Sequence, residues 1–140
     1  MSRFFVENAM SNMNEARAFM ALAEDAFIAG DTNAIIALFD DDVVVTFADF
    51  PSIRGKEAYR KFLEARLKRQ LRYRPRTTVK VCYGNVIGST WEASWVDAQT
   101  GLNMQGLGCE FVTLAKGKVI EFVAAFNVWE RFTESHIPII

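Results

Sequence analysis

A glycine followed by an aspartate, Gly30-Asp31, interrupts a helical pattern and constrains how the first third of the chain folds. Glycine readily adopts the left-handed conformation that ends a helix, and an aspartate caps the next helix by accepting a hydrogen bond from its first amides. Apolar spacing resumes over residues 32–39, and β-branched residues dominate residues 43–48 after three aspartates. The pattern predicts a helix, a short second helix and a strand in close succession.

The longer helices are predicted on both sides of the short one, and a meander of strands follows them. Apolar side chains recur at helical spacing over residues 14–29 and 56–71. Residues 72–76 are predicted as a connector because Pro75 interrupts them. Glycine-containing turns then separate four predicted strands, at residues 77–83, 86–96, 102–114 and 118–129. We therefore expect an α+β fold in which three N-terminal helices pack into the concave face of a curved sheet.

Size and charge limit the classes of protein that this chain can represent. The chain has 140 residues, 51% of them hydrophobic, which suits one domain with a substantial core. We expect that domain at residues 14–132, with an N-terminal arm at 1–13 and a C-terminal tail at 133–140. A formal net charge of -1 and the lack of a long apolar run argue against nucleic acid and membrane partners.

The sequence gives little sign of a metal or cofactor. His136 is the only histidine, which argues against a histidine metal site or a Ser-His-Asp triad. No glycine-rich phosphate loop occurs, so we expect no cofactor. Cys82 and Cys109 fall within predicted strands, and the first residues lack the apolar region of a secretory signal. These features predict a cytoplasmic protein with reduced thiols.

Glu110 is the residue with the strongest chemical signal. Strand alternation places it on one face with Gly106, Gly108 and Val112, all small or apolar. A carboxyl group in such surroundings has a raised pKa and can exchange a proton near neutral pH. The alternative is that Glu110 lies on the outer face of the sheet and pairs with an exposed cation.

Three segments carry a resemblance to a known family. Residues 29–39, 54–59 and 117–121 resemble the SnoaL-like branch of the nuclear transport factor 2-like superfamily, and the likeness extends over roughly residues 14–129. The resemblance implies a cone-shaped, cystatin-like α+β barrel with a strongly curved mixed or antiparallel sheet. It also implies a pocket and, frequently, a homodimer formed through the sheet face. The superfamily includes isomerases, cyclases, epoxide hydrolases, dehydratases and binders without activity.

The strand around Glu110 is similar to the ketosteroid isomerase strand that carries its oxyanion-hole acid. The positions of that enzyme's tyrosine and base fall on Ala23 and Phe47, which cannot perform those roles. Asp49 then becomes the candidate base. Where limonene epoxide hydrolases and SnoaL-like cyclases often carry an acid, this chain has Asn127, which can orient a ligand but cannot donate a proton as an acid does.

Aromatic side chains complete the predicted site. Phe47, Tyr59, Trp91 and Trp95, with Asn127, are expected to line a pocket for a small apolar or polycyclic molecule. Trp91 and Trp95 could instead form a dimer interface on the outer face of the sheet. The basic run from Arg66 to Arg76 is interpreted as a solvated helix end, although it is also the segment that could bind nucleic acid.

Three functions therefore remain open from the sequence. The first is a ligand-binding protein with an apolar pocket. The second is a cofactor-independent isomerase, dehydratase or hydrolase in which Glu110 is the acid and Asp49 the base. The third is a dimeric interaction protein without catalytic activity.

Overall fold

The computed structural model describes residues 2–134 and 139, and for residues 2–12 it describes the backbone alone. Helices and strands follow one another along the chain as α1 (Ser2–Ala29), α2 (Thr32–Ile36), β1 (Phe39–Phe47), β2 (Ile53–Arg54), α3 (Lys56–Arg69), β3 (Gln70–Tyr83), β4 (Val86–Asp97), β5 (Asn103–Ala115) and β6 (Lys118–Glu130). The predicted helix–helix–strand opening is confirmed. At its first junction, Gly30 has a φ of 63° and the Asp31 carboxylate accepts a hydrogen bond of 3.1 Å from the Ala34 amide.

All six strands belong to one curved, unclosed sheet with the order β2-β1-β6-β5-β4-β3. Strands β3 to β6 form an antiparallel meander, whereas β1 runs parallel to β6. The sheet is therefore mixed. Helix α1 packs against β3 and α3 against β1, so the predicted α+β architecture is confirmed.

The core lies between the helices and the concave face of the sheet. Its fully buried members are aliphatic side chains and one tyrosine, Tyr59, which packs against Phe39 with ring centroids 4.7 Å apart. The fully buried aliphatic members come from α2, α3 and three strands and are Ile35, Ile36, Val43, Val45, Leu63, Ile87 and Val119. Val112 of β5 is nearly as buried. One layer of apolar contacts thus fixes how the helices sit over the sheet.

Two boundaries near the start of the chain differ from the predicted ones. Helix α1 begins at Ser2, so the segment predicted as an arm is helical where the structure describes it; it contains no glycine or proline to stop a helix. Strand β1 begins at Phe39, before the three aspartates, because Phe39 pairs with Val119 ahead of a register shift. Most of the predicted C-terminal tail, including His136, lies outside the described residues.

The predicted connector at residues 72–76 is also strand. Pro75 pairs with Ala93 inside β3, where proline was expected to break the element. Strand β3 lies at an edge of the sheet, so its outer side pairs with no other strand of the sheet. A proline, which lacks an N–H, can therefore face that side without removing a hydrogen bond between strands.

Gly108 on β5 should tolerate no side chain. A Cβ at this position would lie 2.5 Å from the Ala125 carbonyl oxygen and 2.7 Å from the Phe126 Cβ. We expect Gly108→Ala to lower the free energy of unfolding by roughly 1–3 kcal/mol, measured by urea denaturation. Gly106→Ala on the same strand face is the control, since the nearest atoms there lie at 3.3 Å and belong to the Trp95 ring. Equal losses for the two variants would contradict this packing.

Candidate functional site

Glu110 lies on the inward face of β5. The two faces of this strand differ in burial: Glu110 and Val112 are buried, whereas Leu107, Cys109 and Phe111 are exposed. Glu110 itself is only 9% exposed. The predicted alternation therefore holds, and the alternative of an outward-facing Glu110 is excluded.

Burial leaves the Glu110 carboxyl without a hydrogen-bond partner among the described residues. Loss of water raises its pKa to about 7, against an opposing influence from the Arg66 guanidinium. Because the pKa of Glu110 is raised from 4.5 to about 7, ionisation of this buried group lowers the free energy of unfolding by about 3 kcal/mol above neutral pH. Such a cost in a natural protein points to a functional group.

A second buried polar group lies on the neighbouring strand, at the position paired with Glu110. Ser89 on β4 is the register partner of Glu110, so the two side chains stand on the same face. The Ser89 hydroxyl oxygen is buried and also makes no hydrogen bond to the described part of the chain. Two neighbouring polar groups without a hydrogen-bond partner in the described part of the chain indicate a place that water or a ligand occupies.

Glu110 opens onto a cavity of about 80 Å³, which we call the inner cavity. Its wall combines apolar side chains of α1, β1 and β6 with polar groups from α1, α3 and β3. The residues that contribute are Phe19, Met20, Ala23, Glu24, Phe27, Leu38, Phe39, Phe47, Tyr59, Arg66, Tyr73, Pro75, Thr77, Trp91, Glu110, Val112, Val119 and Phe122.

The other ionisable groups of the inner cavity are Tyr59, Tyr73, Glu24 and Arg66. Burial raises the pKa of both tyrosines, so each remains a neutral hydroxyl at physiological pH. The Glu24 carboxylate accepts a hydrogen bond of 2.6 Å from the Thr77 amide. Glu110 is therefore the carboxyl of this cavity that has no hydrogen bond within the described residues.

Arg66 of α3 is a residue that the sequence interpretation missed. Its guanidinium carbon lies 5.2 Å from the ring centroids of Phe27 and Phe47 and 4.9 Å from that of Tyr73. The expectation of a solvated basic face was wrong for this residue. A signal was present, because Arg66 follows Tyr59 by two helical turns and so lies on the apolar stripe of α3.

A second, larger cavity of about 430 Å³ adjoins the first, and we call it the outer cavity. Phe47 and Arg66 line both cavities and so form the partition between them. The outer wall is mainly apolar and includes the exposed Phe50. Its full lining is Phe47, Phe50, Phe62, Ala65, Arg66, Arg69, Gln70, Trp95, Asp97, Met104, Phe126 and Val128.

Charge in the outer cavity is partly neutralised by one ion pair. The Arg69 Nε donates to Asp97 Oδ1 at 2.7 Å, and the Thr100 hydroxyl donates to Asp97 Oδ2 at the same distance. Hydrogen bonds from Arg69 and Thr100 lower the pKa of Asp97 to about 2. Asp97 is thus a fixed carboxylate with no role in proton transfer near neutral pH.

The structure brings most of the predicted pocket residues together. Tyr59 and Trp91 line the inner cavity with Glu110, Trp95 lines the outer cavity, and Phe47 lines both. The two tryptophans lie on the cavity face of β4, so they do not form the outer face of the sheet that the alternative interpretation required.

Asp49 and Asn127 are not brought to Glu110. Strand β1 ends at Phe47 and Ala48 adopts a φ of 51°, which turns the chain and leaves Asp49 exposed outside both cavities. Asn127 pairs with Leu107, whose side chain belongs to the outer face of the sheet. Alternation therefore directs Asn127 away from Glu110, and neither expected placement is met.

No candidate metal site is present in residues 2–134 and 139, where no three histidine, cysteine or acidic side chains cluster closely enough to hold an ion. Within the same residues, no helix combines the length and the apolar character needed to cross a membrane.

Similar proteins of known structure share this fold. A candidate polyketide cyclase from Xanthomonas campestris pv. campestris is 21% identical with a TM-score of 0.75, covering 83% of this chain and 93% of its own. A candidate scytalone dehydratase from Novosphingobium aromaticivorans is 16% identical with a TM-score of 0.76, covering 96% and 97%. A candidate isomerase from Bacillus subtilis is 16% identical with a TM-score of 0.70, covering 83% and 88%.

Identities this low show a common fold and not a common activity. No curated protein matches the chain. The model of the SnoaL-like domain family, in contrast, matches residues 16–122, which is well over half of the sequence and includes every residue that lines the inner cavity. The chain therefore belongs to the SnoaL-like domain family.

Proposed function

We propose that this protein binds a small, largely apolar molecule and that Glu110 moves a proton between two positions of that molecule without a cofactor. The observation that carries the proposal is the Glu110 carboxyl, buried without a hydrogen-bond partner in the described residues and with its pKa raised to about 7. A carboxyl group with such a pKa both accepts and donates protons readily at physiological pH.

Isomerisation suits this site better than hydrolysis. An isomerisation needs one group that removes a proton and returns it elsewhere, whereas the predicted second group, Asp49, lies outside the cavities. Ionised Glu110 would take a proton from the carbon beside a carbonyl group, and the bonding electrons would move onto the carbonyl oxygen. Protonated Glu110 would then return the proton to a different carbon of a conjugated enolate, which restores the carbonyl and moves the carbon–carbon double bond.

The negative oxygen formed in this reaction has suitable partners. Tyr59 and Tyr73 are neutral hydroxyl groups in the wall of the inner cavity, and Arg66 supplies a positive charge there. Donors fixed in an apolar site stabilise developing charge more than water does. The inner cavity is too small for a whole substrate, so the reacting end would enter it and the remainder would occupy the outer cavity.

The structural relatives are consistent with this proposal. The candidate isomerase from Bacillus subtilis and the candidate scytalone dehydratase share the fold over most of their length. Isomerases and dehydratases both depend on proton transfer by acids and bases.

Hydrogen exchange measures the proposed proton transfer without knowledge of the natural substrate. We expect the protein to accelerate deuterium incorporation beside the carbonyl of 2-tetralone in heavy water, followed by NMR. Since the base is ionised Glu110, the rate should rise with pH and level off above about 7. Glu110→Gln should remove the acceleration, and Glu92→Gln, an exposed glutamate on β4, should retain it.

Two results would contradict the proposed chemistry. One is full acceleration by a folded Glu110→Gln variant. The other is equal loss in the Glu92→Gln control, because that would show an effect unrelated to the buried carboxyl.

We also propose that a second copy of the chain covers the outer face of the sheet. Val81, Leu107 and Phe111 are each about half exposed on this face. A Cβ on the intervening Gly88 would lie 2.6 Å from Val81 and 3.2 Å from Phe111, so these two side chains close over the glycine as one apolar surface. Adjacent exposed apolar side chains on a sheet are typical of an interface.

Sedimentation velocity tests this interface. We expect a dimer for the unaltered protein and a monomer for Phe111→Glu, because a buried charge without a partner opposes association. Leu22→Glu is the control, since Leu22 is 58% exposed on α1, away from the sheet face. A Phe111→Glu dimer as stable as the parent would rule out this surface.

A reducing compartment such as the cytoplasm fits the cysteines. Cys82 and Cys109 are both free thiols. Thiols persist unpaired where cellular reductants are present.

A further inference from the structure

Arg66 holds a positive charge that the described residues do not neutralise. Its Nε donates to the Gln70 side-chain oxygen at 2.6 Å, and three aromatic rings surround its guanidinium carbon. Within the part of the chain that the structure describes, no carboxylate forms an ion pair with it at 4.0 Å or less. Aromatic faces attract a cation but provide no anionic oxygen.

The nearby carboxylates do not compensate for this charge. Asp97, in the same outer cavity, is engaged by Arg69 at 2.7 Å. Glu110 is near enough to be influenced by Arg66, yet it is a neutral acid for about half of the time at neutral pH. Arg66 therefore presents an oriented guanidinium to both cavities.

The outer cavity has the size and lining for a planar ring system. Its volume of about 430 Å³ lies in the range of small-molecule sites. Phe47, Phe62, Trp95 and Phe126 contribute aromatic rings to its wall from four elements. Stacked or edge-to-face contacts with such rings favour an aromatic ligand over a flexible chain.

We propose that the ligand is an aromatic anion, whose planar ring occupies the outer cavity and whose carboxylate, phenolate or enolate oxygen binds Arg66. This inference rests on the proposed function, because it assigns the substrate class of the same cavities. A guanidinium forms short, charge-assisted hydrogen bonds with such oxygens, and the apolar surroundings strengthen them. Arg66 is thereby the residue that determines specificity.

Anion binding at Arg66 would be coupled to Glu110. An anion offsets the positive charge that holds the Glu110 pKa down and adds a negative charge beside it, so Glu110 retains its proton more tightly. The anion then binds best to protein with protonated Glu110, which is the pairing that the proposed reaction produces when ionised Glu110 takes a proton and leaves an enolate. Affinity should be high below pH 7 and should fall as the pH rises through the pKa of free Glu110.

The other ionisable groups facing Glu110 allow this coupling to be isolated. They are Tyr59 and Arg66 from α3, Tyr73 from β3 and Glu24 from α1, while β1, β4 and β6 contribute no ionisable side chain to the wall of the inner cavity. Both tyrosines stay neutral around pH 7, because burial raises their pKa. Among these groups, Glu24 is thus the one that a variant must exclude as the cause of the pH dependence.

Calorimetric titration with 2-naphthoate and its neutral isostere 2-naphthamide tests the inference on the full chain. We expect 2-naphthoate to bind about tenfold tighter than 2-naphthamide at about pH 6. Arg66→Met should remove this preference, and Lys68→Met, which removes an exposed charge from the same helix, should retain it. Since the comparison of the two ligands uses the unaltered protein, it remains decisive even where Arg66→Met does not fold.

The pH dependence gives a second readout. The carboxylate of 2-naphthoate is ionised above roughly pH 5.5. A severalfold loss of affinity between about pH 6 and about pH 8 therefore reflects a titration of the protein and not of the ligand. Glu110→Gln should flatten this profile, and Glu24→Gln should leave it unchanged.

The possible failures are distinguishable. Equal affinity for the two ligands, or an unchanged preference in a folded Arg66→Met variant, overturns anion recognition and leaves proton transfer by Glu110 standing. Binding of neither ligand overturns the substrate class. A lack of deuterium exchange dependent on Glu110, with 2-naphthoate still preferred, overturns the proposed chemistry alone.

Discussion

The packing of one guanidinium against aromatic rings from three elements connects the helices to the sheet. Arg66 of α3 lies near Phe27 of α1, Phe47 of β1 and Tyr73 of β3. These contacts hold a positive charge where the two cavities adjoin. Because Arg66 is also the charge that opposes the raised pKa of Glu110, packing and chemistry depend on the same side chain.

The position of Glu110 follows from the glycines of its strand. Gly108 leaves room for Trp91 and Phe126, whose atoms would lie within 3.0 Å of a Cβ at that position. Trp91 and Phe126 are the register partners of Gly108 on the two neighbouring strands, and Glu110 is buried two residues farther along the same face. The carboxyl is thereby buried where no described residue offers it a hydrogen bond, and its pKa rises. Burial of Glu110 therefore lowers the stability of the fold and produces a carboxyl group that titrates near neutral pH.

Local chemistry made much of the fold predictable from the sequence. Gly30 and Asp31 fixed the first helix junction, and Lys116 and Gly117 adopt the positive φ angles that a tight hairpin requires. Alternation on β5 correctly grouped Glu110 with Gly106, Gly108 and Val112, and the burial of Glu110 and Val112 identifies this face as the inner one. Pro75 misled the strand prediction because the sequence does not reveal which strand lies at the sheet edge.

The rest of the site depends on tertiary packing and chain direction. Asp49 was the candidate base, but the turn at Ala48 directs the chain away from the cavities after β1 ends at Phe47. The face occupied by Asn127 depends on its register with Leu107 across two long strands, where a shift of one residue reverses the face. Arg66 was grouped with its charged neighbours along the chain, although its surroundings come from α1, β1 and β3.

The most direct test of this account is an NMR titration of the side-chain carboxyl carbon of Glu110 in labelled protein, assigned by comparison with Glu110→Gln. We expect a titration midpoint of about 7, well above the ordinary glutamate value of 4.5. A midpoint at the ordinary value would show a solvated carboxylate and would contradict proton transfer by a buried Glu110.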